Sequence, residues 1–79
     1  MLAYLLIKVA PKSERKVFEM IQRVRGIKET YSVYGKYDIV AKFETHNEAM
    51  MKKIYYEDVK TIREIQSCTI CRVCKIGKF

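Results

Sequence analysis

Gly26-Ile27-Lys28-Glu29-Thr30-Tyr31-Ser32-Val33-Tyr34-Gly35-Lys36-Tyr37-Asp38-Ile39-Val40 is the stretch on which the fold turns. Ile27 to Tyr34 and Tyr37 to Glu44 read as two strands joined by Gly35-Lys36. A Gly-first pair suits a type II′ hairpin turn, whose first position needs a positive φ. In the second strand Tyr37, Ile39, Ala41 and Phe43 fall on one face. Asp38, Val40, Lys42 and Glu44 fall on the other, as the two-residue period of a strand requires.

Upstream of the hairpin, Val17, Met20, Ile21 and Val24 recur at helical spacing among charged residues, which predicts an amphipathic helix over Glu14 to Arg25. Ser13 is its expected N-cap, and Gly26 follows its end, where a left-handed turn costs least. Before it, Ala3 to Val9 reads as a strand with apolar residues on both faces, the pattern of a strand covered on two sides. Downstream, Thr45-His46-Asn47-Glu48 matches a capping box, with Thr45 as N-cap. It opens a helix bearing Met50, Met51, Ile54, Tyr55, Val59 and Ile62. A last extended run, Ile65 to Ile76, is rich in β-branched residues and cysteine.

Strand, helix, strand, strand, helix, strand folds, with right-handed crossovers, into an α+β ferredoxin-like βαββαβ sandwich. Both helices then cover one face of a four-stranded antiparallel sheet. The other face, apolar along its first and third strands, is left bare, and a bare apolar face of that size predicts at least a dimer.

Composition agrees. A chain of 79 residues with 49% hydrophobic and 32% charged residues is one globular domain. No apolar run approaches the roughly 18 residues of a membrane span. A core this small is marginal alone, which again favours assembly. Three cysteines, all near the C-terminus, suit a cytoplasmic location better than an oxidising one. Cys68-x-x-Cys71-x-x-Cys74 has the look of a metal motif, but on a strand Cys68 and Cys74 stand about 20 Å apart and Cys71 faces the opposite way. Small hydrophobes are the expected role for all three, with no metal and no cofactor. His46 is alone at a helix start, and no nucleophile, base and acid can be assembled, so no enzymatic activity is expected.

The hairpin and the Ile65-Gln66-Ser67 opening of the last strand resemble the C-terminal effector-binding (RAM) domain of the Lrp/AsnC, or feast/famine, transcription regulators. The most specific part is Gly-x-Tyr-Asp at Gly35 to Asp38, and the resemblance extends from about Ala3 to Val73. It implies a module that binds a free amino acid effector at a subunit interface and pairs as a homodimer through sheet faces, with octamers common in the family. It also implies partnership with full-length Lrp/AsnC-type regulators. Those carry a helix-turn-helix DNA reader for which 79 residues leave no room, so a stand-alone effector-binding and oligomerisation domain over residues 1–79 is expected. Carried over by position, Gly35 would let backbone approach the ligand. Asp38 would pair with the α-ammonium or support the hairpin that does. Tyr31, Gln66 and Ser67 would line the pocket. The chain departs from the family in having Glu64 where a Gly commonly precedes the last strand, and Cys68 and Ile70 where threonines alternate.

Two alternatives stay open on the residues alone. A net charge of +7, from 16 Lys and Arg against 9 Asp and Glu, is compatible with nucleic acid. Yet the basic residues are dispersed among acids on both helices, and only the tail from Ile65 is uniformly basic. The other alternative is a purely structural assembly subunit.

Overall fold

The computed structural model describes residues 1–75 and Gly77. Its elements are β1 (Leu2–Val9), α1 (Glu14–Gln22), β2 (Ile27–Ser32), β3 (Ile39–Glu44), α2 (Glu48–Ile54), a π-helical turn over Tyr55–Val59, and β4 (Ile65–Arg72). The strands form one antiparallel sheet in the order β2-β3-β1-β4. This is the expected ferredoxin-like βαββαβ order. The part of the last run at Ile76, and Lys78 of the basic tail, lie outside the described residues.

Strand alternation places the core. Ala3, Leu5, Ile7 and Val9 of β1, with Ile39, Ala41 and Phe43 of β3, are buried on the side that receives Val17 and Ile21 of α1 and Met51 and Ile54 of α2. The even residues of β1 face the other way, where Leu2, Tyr4 and Leu6 are half-buried and Lys8 is exposed.

The hairpin keeps the expected register, Tyr31 opposite Val40 and Ser32 opposite Ile39. Its ladder stops earlier than expected. The last bond is Val33 N–H to Asp38 O, 2.9 Å, which leaves a four-residue loop, Tyr34 to Tyr37, in place of the two-residue turn. Gly35 sits in that loop at φ +122°, so the positive φ that called for glycine is there.

Three local expectations are corrected. Ser13 makes no side-chain capping bond to α1, and α1 itself ends at Gln22 rather than Arg25. Capping of α2 falls to Asn47, whose Oδ1 accepts from Met50 N–H at 2.8 Å, because Thr45 Oγ1 is turned to donate to Asn47 O. Glu48, freed from a capping box, reaches across to Arg72 at 2.6 Å. After Ile54 the helix inserts one residue as the π turn, so that Val59 and Ile62, rather than Asp58, reach the core.

That insertion turns Tyr55 inward. Its hydroxyl donates to Cys68 O on β4 at 3.2 Å. Burial, with Cys68 adding to it, pushes the phenol from the usual 10.0 up to about 12. The neutral phenol is thus favoured by the fold, and its contribution to stability is complete below pH 10 and lost between pH 10 and 12. The difference in urea midpoint between wild type and Tyr55→Phe should therefore shrink over that interval. A difference that stays constant to pH 12 would place the phenol in water.

Candidate site at the hairpin rim

Asp38 sits where β1 runs past the end of its partner. In β1 the N–H groups of odd-numbered residues point toward β3, and pairing ends at Ile7 opposite Ile39. The N–H of Val9 would be orphaned as β3 departs into the loop. Asp38 Oδ2 accepts it at 2.9 Å. The same residue donates its own N–H to Ile7 O at 2.9 Å and accepts from Val33 N–H, so three bonds anchor the base of the loop to β1 and β2. Of the two roles the resemblance implies for Asp38, this geometry provides the hairpin support directly.

Removing the carboxylate leaves a part-buried N–H without a partner, which costs about 1–3 kcal/mol. Asp38→Ala should lose that much in urea denaturation, while Asp38→Asn, which keeps an oxygen in place, should lose less. Equal stability in both variants would remove the bracing role.

The other expected residues lie along the same end of the sheet but are not gathered into one pocket. Gly35 is at the exposed tip, with no atom within 4 Å of where a Cβ would stand. Tyr31 lies on the open face of edge strand β2, its hydroxyl donating to Glu29 Oε1 at 2.7 Å, and that bond raises its pKa. Ser67 pairs with Lys8, and the pairing shifts register between Lys8 and Val9, leaving Gln66 as the extra residue on β4. Since β2 and β4 are the two outer strands, Tyr31 and Ser67 are separated across the sheet by three strand spacings, roughly 14 Å, and by two residues along it. Glu64, the departure at the start of β4, is tied to α1. Its carboxylate pairs with Lys16 at 2.7 Å, which lowers its pKa, and its carbonyl accepts from Ala10 N–H at 2.8 Å.

The open face beside this rim has two cross-strand rows. One runs Tyr31, Val40, Leu6, Thr69, and the next runs Glu29, Lys42, Tyr4, Cys71. Its charged residues at paired positions are Lys8 and Lys42 against Glu29 and Glu44, with Lys28 unpaired at the register shift of β2. Most of the chain's excess positive charge therefore lies elsewhere. This mixture of signs emerges only once the strands are aligned across the sheet.

Cys71 and Cys74 are exposed, which corrects their expected role as buried hydrophobes; only Cys68 packs against the core. Among the described residues no cluster of three or more His, Cys, Asp or Glu side chains could hold a metal ion. No helix there is long and apolar enough to cross a membrane.

Four antiparallel strands carrying two helices on one side define the class, a ferredoxin-like α+β sandwich. The family model described as the Lrp/AsnC ligand binding domain matches residues 2–78, and the chain belongs to that family. Among solved structures, the hypothetical protein PHS023 from Pyrococcus horikoshii is 32% identical, with a TM-score of 0.81 over 91% of this chain and 89% of that one. AsnC of E. coli shares the fold at a TM-score of 0.90 and 19% identity, over 99% of this chain but 53% of its own. A transcriptional regulator from Neisseria meningitidis, solved in complex with L-Met, aligns at 0.84 and 12% identity over 99% of this chain and 52% of its own. No curated protein matches the sequence significantly.

Proposed function

We propose that this chain is a cytoplasmic, non-enzymatic effector module that pairs through its open sheet face and binds a free amino acid at the rim between copies. The observation that carries the reading is the incompleteness of the rim. Asp38 braces a loop whose tip projects into solvent, with Tyr34 fully exposed, while Tyr31 and Ser67 sit on opposite edges. A second copy laid against the open face would bring the rim residues of one chain toward those of the other. An amino acid needs an acceptor for its ammonium, free N–H groups for its carboxylate and a pocket for its side chain. The hairpin loop, Gln66 and Ser67 offer these groups.

The open face suits a second copy. Four strands of up to 8 residues span roughly 19 by 26 Å, on the order of 500 Å² in projection, the scale of one side of a standard interface. Its paired charges are mixed in sign, so a twofold copy can set acids against bases, whereas a nucleic-acid platform would be expected to carry a strong basic excess. The L-Met complex of the Neisseria regulator supports an amino acid as the effector class. Association with full-length Lrp/AsnC-type regulators through the same face follows from the same complementarity, and octamers would need a further contact between dimers.

A thermal-shift screen of the common amino acids tests the sensor reading. A ligand at 100 times its Kd stabilises the folded state by about 2.7 kcal/mol, a shift of several degrees for a domain of this size. One or a few amino acids should raise the melting temperature of the wild type, and Ser67→Ala should weaken the response. No shift with any amino acid at millimolar concentration would overturn amino-acid sensing.

A further inference from the structure

The sheet has a second unsatisfied boundary, at the outer edge of β4, independent of the open face. Val73 N–H bonds Leu2 O at 2.8 Å, so residues 67, 69, 71 and 73 point their backbone groups inward to β1. Residues 68, 70 and 72 point theirs outward. One outward carbonyl, that of Cys68, is taken by the Tyr55 hydroxyl. Beyond that bond the backbone groups of Ile70 and Arg72 face away from the sheet.

Natural edge strands are usually blunted by charge, proline or a covering element. β4 has no proline and one charged residue, Arg72, which is paired with Glu48, and cover from the π turn reaches Cys68. Beside the uncovered part lies a small, mainly apolar groove lined by Met51, Tyr55, Tyr56, Ile70 and the aliphatic part of Lys52, closed at one end by the Glu48–Arg72 ion pair. An added strand hydrogen-bonded to Ile70 and Arg72 would send alternate side chains into it, the arrangement of β-strand addition.

We propose that the β4 edge is a docking site for an extended peptide segment of a partner protein, with an apolar side chain for the groove flanked by acidic residues. Charge selects that occupant over a second copy. Lys52 borders the groove, Lys60 lies 6.0 Å from the Tyr55 ring, and the only lining acid, Glu48, is committed to Arg72. Two such edges would face each other with like charge.

The test uses the whole chain, a synthetic peptide of alternating Glu and Val with a central Leu, and the same peptide with Lys in place of Glu. Amide exchange by NMR should slow at least tenfold at Ile70 and Arg72 on adding the acidic peptide, and change little at Thr69 and Cys71. Tyr56→Ala, exposed and outside the core, should weaken binding at least tenfold. Leu6→Lys, on the open face, should leave it unchanged, so failure here is separable from failure of the sheet-pairing reading. No protection at millimolar acidic peptide, equal binding of the Lys peptide, or protection that rises with protein concentration alone would overturn the proposal.

Discussion

Leu6→Lys should convert the assembled protein to a folded monomer. Leu6 lies at the centre of the open face, between Val40 on β3 and Thr69 on β4, and is half-buried in the single chain. Its backbone continues a strand whose opposite side chains, Leu5 and Ile7, are buried in the core, so the substitution does not touch the packing that holds the domain. Across a paired face the same residue loses its remaining exposure. Truncating such a contact costs about 1.5–3 kcal/mol, and an unpaired ammonium buried in its place costs several more. In a twofold pair each copy would contribute the charge. The dissociation constant should rise by about a thousandfold or more, at 1.4 kcal/mol per tenfold. Circular dichroism and the urea midpoint of the monomeric variant should show it folded. Unchanged mass at low micromolar concentration would mean that the open face is not where copies meet.

Gly26→Ala carries the largest expected loss of stability in the single chain. Gly26 has φ +93°, and its carbonyl accepts from Glu44 N–H at 2.8 Å where the turn after α1 meets the end of β3. A Cβ there would stand 2.9 Å from Phe43 Cε1 and 3.0 Å from Glu44 O. Phe43 is fully buried and the other neighbour is backbone, so neither can swing aside. The left-handed conformation costs about 1–2 kcal/mol for a side chain, and crowding a packed core about 1–3 more. A loss of about 2–5 kcal/mol is expected in urea denaturation, a large share of the margin of so small a domain. Gly35→Ala is the control. It shares a positive φ, +122°, but meets nothing within 4 Å, so the conformational cost alone should appear. Equal losses in the two variants would mean that Phe43 yields more readily than its burial implies.

Much of this architecture was legible in the residues. The alternation of Tyr37 to Glu44, the Gly35-Lys36 pair and the helical spacing of Val17, Met20, Ile21 and Val24 each follow from local geometry, and they set element order and hairpin register. The bare face was legible as the even residues of the first strand. What escaped is decided by competition between neighbouring groups. Thr45 and Asn47 can both cap α2, and the bond from Thr45 to Asn47 O decides between them. The π turn leaves a faint trace, Val59 standing five residues after Ile54 where a regular helix would bury the fourth, but helical periodicity is too loose to expose one inserted residue. The site was legible as residue types without their partners. Asp38 stood out through a short motif, yet its bond to Val9 depends on where β1 outruns β3, which no local pattern encodes.

Light scattering over a dilution series from about 100 to about 1 micromolar measures directly whether a second copy completes the domain across its open face. Wild type should show a mass at least twice the 9.4 kDa of one chain, falling to that of one chain in Leu6→Lys. A wild-type protein that is monomeric and stably folded throughout the series would contradict it.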